Sequence, residues 1–216
     1  MSEIFREVDE EVRQERYLLL WRRYGPYAIG ALAAVVVLTA GIIGWREYQV
    51  SEREKESAHY TVGLRLVGSG DATAAAAAFG ALAESTGSGY GVLAHLQQAA
   101  ALADSSESAA VGLYDRIAAD SGVPDIFRDL ARLRAAMLLI DTTAPNEVYP
   151  RLDALTGDDN PWRFMAREMR ALVDLHAGKE AEARAAYENL VDSPNAPEGV
   201  RGRAAEMLTV LRSGGG

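Results

Sequence analysis

The sequence feature that most constrains the fold is a pattern of apolar residues that returns about every 35 residues. Its four large members are separated by 35, 38 and 35 residues: Phe79, Tyr114, Leu152 and Tyr187. Four residues earlier the chain has Ala75, Ala110, Val148 and Ala183, and three residues later it has Leu82, Ile117, Leu155 and Leu190. Because residues three and four apart share one face of an α-helix, each group predicts one amphipathic helix. The regular return of the group predicts similar helical units stacked side by side.

A preceding helix completes each unit. Twelve residues before the small residue, three units again have a small one, at Gly63, Ala136 and Ala171, whereas the second unit has Gln98. Such residues let paired helices approach closely, and the large residue fills the gap between them. Together with turn glycines at Gly70 and Gly178, this pattern resembles the tetratricopeptide repeat, a helix–turn–helix of about 34 residues. The resemblance covers residues 57–196.

Turn residues between the apolar stretches divide the outer part of the chain into predicted helices, and no long alternating stretch predicts a strand. The predicted helices are Arg46–Val67, Asp71–Glu84, Gly89–Ala103, Glu107–Asp120, Asp125–Asp141, Asn146–Thr156, Trp162–Ala177, Glu180–Val191 and Pro197–Leu211. The last of them would cap the stack. The predicted fold class is therefore all-α, with a single N-terminal transmembrane helix followed by a tetratricopeptide-like helical-repeat solenoid.

The transmembrane prediction rests on residues 25–44, which contain no charged side chain. Twenty helical residues span about 30 Å, the thickness of the hydrocarbon core of a bilayer. Aromatic residues at both ends, such as Trp21 and Trp45, suit the two membrane interfaces. A cleaved signal peptide and a buried core helix are the alternatives. Twenty-four residues precede the stretch, and bulky Trp45 follows it where a cleavage site needs small residues, so an uncleaved anchor is favoured.

Basic residues next to this stretch predict its orientation. Arg22 and Arg23 precede it directly, so the positive-inside rule places the N-terminus in the cytoplasm. The C-terminal part would then lie in the periplasm, if the source is a Gram-negative bacterium, with the anchor in the inner membrane. The predicted domains are a cytoplasmic amphipathic tail (1–24, with Ile4, Val8 and Val12 on one face), a transmembrane anchor in contact with lipid (25–45), the repeat domain (46–211) and a flexible tail (212–216).

Composition argues against several functions. The chain has 22 basic and 31 acidic residues, whereas a nucleic-acid-binding protein needs a basic face. It has no cysteine, its three histidines lack paired metal spacing, and no nucleophile–base pair is visible. We therefore expect no enzyme activity, no catalytic or metal site and no cofactor. The glycine-rich stretch 86–91 is interpreted as a helix connection, because it follows a helix and no lysine comes after it.

Charged residues within the predicted helices are interpreted as surface ion pairs. The aspartates Asp125 and Asp129 alternate with Arg128 and Arg132, which predicts surface ion pairs along one helix. Glu168, between Arg167 and Arg170, is interpreted in the same way.

The whole layout, a short tail, one anchor and divergent repeats, is similar to the YfgM-like family of ancillary subunits of the SecYEG translocon. The resemblance implies a non-enzymatic scaffold associated with the SecYEG translocon and with a membrane-anchored periplasmic chaperone, helping to hand over exported proteins. It also implies partner contacts through the repeat grooves and through the tail Glu3–Arg23. The chain is similar as well to the repeat domain of periplasmic cell-division coordinators, so an envelope or cell-division scaffold is the alternative.

The first helices of stacked pairs form a concave surface, and aromatic and arginine side chains there are candidates for partner contacts. The candidates are Tyr60, Tyr90, Phe127, Trp162, Arg163 and Arg170, with Arg65 and Arg134 on the same helices. Two alternatives remain. Phe127 and Trp162 could pack against the preceding helix pair, and the arginine face of the helix from Trp162 could be solvated instead of contacting an acidic peptide.

Overall fold

The computed structural model describes the backbone of residues 3–213 and the side chains of 22–24, 27, 30, 32 and 35–213. The chain divides into two compact units, with the boundary between Lys55 and Glu56. The predicted apolar face of the N-terminal tail, the interfacial Trp21 and the end of the C-terminal tail, 214–216, lie outside the described residues.

Helix α1 runs without interruption over Glu3–Gly68, so the predicted helix from Arg46 is the last part of a longer one. In the first unit its described apolar side chains are exposed, with exposed fractions of 58–70% at Val35, Val36, Val37 and Leu38. The hydroxyl of Thr39 donates to the carbonyl of Val35 at 2.8 Å and is thereby satisfied within the helix. In the part of the chain that the structure describes, none of the helices is long and apolar enough to cross a membrane.

The second unit contains the end of α1 and eight further helices. They are α2 (Ala72–Ser85), α3 (Gly89–Leu102), α4 (Glu107–Ala119), α5 (Asp125–Leu139), α6 (Pro145–Asp153), α7 (Arg163–His176), α8 (Glu180–Asp192) and α9 (Glu198–Ser213). Each lies within three residues of its predicted bounds at both ends. The described backbone contains no strand, so the all-α prediction is confirmed.

Two glycines end the first helix of a pair. Gly70 and Gly178 have φ values of 80° and 73°, a conformation that residues with a Cβ rarely adopt. At each glycine, two backbone N–H groups donate to carbonyls of the helix that ends there. The bond that spans more residues runs from Asp71 to Leu66 at the first glycine and from Lys179 to Asp174 at the second. These are Schellman endings, which satisfy the last carbonyls and turn the chain towards the next helix.

The core follows the repeat pattern. All twelve residues of the pattern are buried, eleven of them within the second helices and Leu155 just after α6, as are Gly63, Ala136 and Ala171 in the first helices. All of them except Gly63 and Ala110 belong to four apolar clusters, and each cluster is shared by three consecutive helices: α1–α2–α3, α3–α4–α5, α5–α6–α7 and α7–α8–α9. A core that continues from pair to pair in this way defines a solenoid, with α9 as the terminal helix.

The second repeat differs by one residue from the predicted register. Ala99, not Gln98, is fully buried and clusters with Tyr114. Gln98 is half-buried, and its side-chain nitrogen would lie 2.6 Å from a Cβ built on Gly80 of α2. The glutamine therefore packs against the preceding pair, where a glycine makes room for it.

Candidate interaction grooves

The second compact unit, Glu56–Gly216, contains all the helix pairs and is called the repeat unit below. Two open grooves in it could receive a partner. The first, here the α3–α5 groove, lies between the first helices of the second and third pairs and has a volume of about 180 Å³. Successive first helices form the concave side of a repeat stack. The lining residues are Leu93, Leu96, Gln97 and Ala100 from α3, Tyr114 from α4, and Phe127, Leu130 and Arg134 from α5.

Arg134 is the only charged residue among those eight. Its side chain is exposed, and it makes no ion pair or hydrogen bond with any side chain that the structure describes. Burial raises the pKa of the Tyr114 hydroxyl, and the nearby positive charge of Arg134 partly opposes that rise. The groove thus combines an apolar floor with one uncompensated positive charge.

The second groove, here the α7–α8 groove, is larger, with a volume of about 430 Å³. It is lined by Phe164, Arg167, Arg170, Ala171, Ala186, Asn189, Leu190 and Ser193. Its two arginines are already paired within the repeat unit. The guanidinium of Arg167 donates to Asp158 at 2.7 Å, and Arg170 donates to Asp153 at 2.7 Å and to Asp174 at 3.4 Å. Since these contacts compensate both positive charges, the groove offers little attraction to an acidic peptide.

The predicted contact residues Tyr60 and Tyr90 lie together at the first pair. The ring of Tyr60 is 5.4 Å from that of Phe79 and 5.8 Å from that of Tyr90, both in tilted arrangements. Both tyrosines are half-buried. Such contacts favour a structural role, because tilted aromatic pairs stabilise the packing of the helices that carry them.

The other four predicted residues lie on α5, on α7 and directly before α7. Phe127 packs on the core while also lining the α3–α5 groove. Trp162 packs on the core too, and its indole N–H donates to the carbonyl of Ile126 at 3.0 Å. Arg163 lies over the ring of Phe164 at 4.4 Å, and Arg170 lines the α7–α8 groove. The structure therefore does not bring the six residues into one site.

Sequence reasoning missed the α3 wall of the α3–α5 groove. Leu93, Leu96, Gln97 and Ala100 occupy positions i, i+3, i+4 and i+7 of that helix, the spacing of a single helical face. This signal was available, but α3 has a second apolar face that packs into the core, and the sequence does not distinguish the two.

The predicted surface pairing of Glu168 with Arg167 and Arg170 is wrong. Glu168 is only 5% exposed, and its two oxygens accept hydrogen bonds at 2.6 Å from Nε and Nη2 of Arg203 on α9. A carboxylate buried on α7 needs a charged partner, and Arg203 on α9 is that partner. The predicted pairs of Asp125 with Arg128 and of Asp129 with Arg132 are confirmed.

Two other predictions concern possible chemistry. The glycine-rich stretch 86–91 connects α2 to α3. The hydroxyls of Thr86 and Ser88 donate to the carboxylate of Glu56, which ties this connection to α1. Within the described residues, no three histidine, aspartate or glutamate side chains are grouped to hold a metal ion.

The stacked helix pairs, the terminal helix and the open grooves define a helical-repeat scaffold of the kind that mediates protein–protein interactions. A sequence profile described as a tetratricopeptide repeat-like domain matches residues 19–205, and the chain belongs to that family. Such repeat domains are generally non-catalytic. No curated protein and no solved structure matches the chain.

Proposed function

We propose that this protein is a membrane-anchored scaffold that binds an extended segment of a partner protein in the α3–α5 groove. Its place is the bacterial inner membrane, with the N-terminus in the cytoplasm and the repeat unit in the periplasm. There it associates with the Sec translocon and assists the handover of exported proteins to a membrane-anchored chaperone.

The observation that carries the binding role is the open, mostly apolar α3–α5 groove. Leu93, Leu96 and Leu130 line it beside Phe127. Concave apolar surfaces with a few polar groups are the usual binding sites of proteins. With a volume of about 180 Å³ the groove is small, so a single extended strand with one or two side chains fits it better than a folded surface.

Support for the anchor comes from the uncharged stretch 25–44. Its described large apolar side chains are exposed, among them Val37 at 70% and Ile43 at 60%. A contiguous exposed apolar surface of this kind needs a lipid or protein environment. The backbone is helical throughout and the hydroxyl of Thr39 bonds within the helix, as a hydrocarbon environment requires.

The association with the Sec translocon rests on the resemblance of the layout to the YfgM-like family. We test it by affinity purification of the full-length protein from membranes in mild detergent, followed by mass spectrometry. The comparison uses wild type and Ala100→Gln, because exposed Ala100 lines the groove and a glutamine there fills it without removing a core side chain. The matched control is Gly112→Gln on α4, where an added Cβ meets no atom within 4 Å.

Translocon channel subunits should be recovered with wild type and the control, together with a periplasmic chaperone that is lost on Ala100→Gln. Recovery of division proteins in their place would contradict the translocon association. Recovery of the same partners at the same level with Ala100→Gln would contradict binding through the groove.

A further inference from the structure

The charge of the α3–α5 groove indicates which segment it binds. Arg134 is exposed at the edge of a surface that is otherwise apolar or neutral. On the same helix, Arg128 and Arg132 are paired with Asp125 and Asp129, so α5 leaves only Arg134 without an acidic partner among its described arginines. A guanidinium binds a carboxylate through two parallel N–H groups, which makes a carboxylate its natural ligand.

The α7–α8 groove provides a contrast within the same molecule. Arg167 and Arg170 line it, and both are held by aspartates of the neighbouring segments. An acidic ligand there would have to displace existing ion pairs. In the α3–α5 groove the same ligand would form a new one, next to an apolar floor that lowers the screening by water.

The charge of the whole repeat unit limits how acidic the ligand can be. Residues 56–216 carry 22 acidic and 14 basic side chains, a net charge of −8. A strongly acidic segment would be repelled before it reached the groove. A single carboxylate next to apolar residues satisfies Arg134 with the least repulsion.

The opposite wall supplies a group suited to an extended backbone. Gln97 lies on α3 with its amide unpaired in the part of the chain that the structure describes, and an amide can both donate to and accept from a peptide group. An extended chain held there would place alternate side chains on opposite sides. One side chain would then enter the apolar floor while a neighbour reaches the wall that carries Arg134.

We propose that the α3–α5 groove recognises an extended segment in which one aspartate or glutamate lies next to an apolar residue, the acid pairing with Arg134. This inference rests on the proposed function of the groove. It adds the chemistry of the partner, an internal acidic side chain and not a chain end.

Fluorescence anisotropy with the full-length protein in mild detergent tests it. The probes are two labelled peptides, Gly-Ser-Leu-Glu-Phe-Ser-Gly and the same peptide with Gln in place of Glu, both blocked at the two ends. The variants are Arg134→Gln and the control Arg116→Gln, an exposed arginine of α4 that does not line the groove. Since Arg134 makes no ion pair with a described side chain, its replacement should leave the melting temperature unchanged.

Wild type and Arg116→Gln should bind the Glu peptide about tenfold more tightly than the Gln peptide, as expected for a charge-assisted hydrogen bond. Arg134→Gln should bind both equally weakly. Equal affinities in wild type, or a preference that persists in Arg134→Gln, would overturn the proposal. So would a third probe, the Gln peptide with its C-terminal carboxylate left free, if it bound wild type more tightly than the blocked Glu peptide, because that result would assign Arg134 to chain ends.

Failure of both peptides to bind wild type would also overturn it. That failure differs from failure of the proposed function, which is judged by the loss of a captured chaperone on Ala100→Gln. The two results can therefore be separated.

Discussion

At the scale of the residue, the repeat depends on one large side chain that closes each helix pair. Tyr187 fills this place in the last pair and is 1% exposed, within a cluster that includes Ala171 and Ala183. Phe79 does the same in the first pair, where it lies so close to Gly63 that a Cβ there would be 2.5 Å from the ring. Small and large residues are therefore matched across each pair.

Replacing Tyr187 with alanine should leave a cavity between α7 and α8. By analogy with other truncations of buried aromatic residues, the free energy of unfolding should fall by about 3–5 kcal/mol. Chemical unfolding of the full-length protein measures the change. Ala183→Leu should overpack the same place and cost about 1–3 kcal/mol. Wild-type stability in both variants would show that the register assigned to the last repeat is wrong.

Tyr187 also predicts a dependence on alkaline pH. Burial, with the negative charges of Glu168 and Asp174 nearby, raises its pKa from 10.0 to about 12. Between these values the unfolded chain loses the phenolic proton while the folded chain keeps it, so stability that is present below pH 10 is lost as the pH rises. Unfolding curves across this range should show a smaller loss in Tyr187→Phe than in wild type. An equal loss in the two proteins would contradict the assigned pKa.

At the scale of the element, the terminal helix α9 is held by both apolar and charged contacts. Val200, Ala204 and Leu208 are buried in the last cluster, and Arg203 binds the buried carboxylate of Glu168 on α7. A helix at the end of a solenoid has a neighbour on one side only. The ion pair therefore adds a charged contact to the apolar ones and links α9 to α7, which is not adjacent to it in the chain.

Arg203→Met should leave the Glu168 carboxylate buried without its partner. We expect a loss of about 1–3 kcal/mol, since unsatisfied buried polar groups cost this much. Arg201→Met, on the same helix, is the control, because Arg201 has no ion pair within the described residues. Hydrogen exchange should show faster opening of α9 in the first variant only. Exchange that is equally slow in both would mean that the apolar contacts alone hold the helix.

The sequence predicts the helices far better than it predicts their ion pairs. Helix bounds depend on local signals, such as the glycines Gly70 and Gly178 and the spacing of apolar residues. The partner of Glu168 lies 35 residues away, one repeat further along, and only the packing of α9 on α7 brings it near. Pairing Glu168 with its neighbours in sequence is wrong, because α7 directs Glu168 inwards and Arg167 and Arg170 towards other segments.

At the scale of the whole molecule, the sequence does not show which of the predicted contact residues lie together. The sequence predicts one contact surface from the aromatic and arginine residues of the first helices, yet Tyr60 and Trp162 are engaged in internal contacts. An aromatic residue on a helix can face the core or a groove, and composition does not separate these cases. Of the six, Phe127 lines the α3–α5 groove and Arg170 lines the α7–α8 groove.

The proposed orientation at the membrane predicts the behaviour of reporter fusions. Alkaline phosphatase, which is active only outside the cytoplasm, should be active when fused after Gly216 and inactive when fused after Arg16. Exchange of Arg22 and Arg23 for glutamate removes the basic pair beside the uncharged stretch and should impair or partly invert insertion. The opposite activities of the two wild-type fusions would contradict the periplasmic location of the repeat unit.

The central claim is that the chain is a repeat scaffold whose partner enters between α3 and α5. Site-specific photo-crosslinking in living cells tests it most directly, with p-benzoylphenylalanine placed at Gln97 in the groove wall or at exposed Gly112 on α4. We expect a discrete cross-linked product from Gln97, its loss when Ala100→Gln is added, and none from Gly112. Equal products from both positions, or an undiminished product with the groove filled, would contradict the claim.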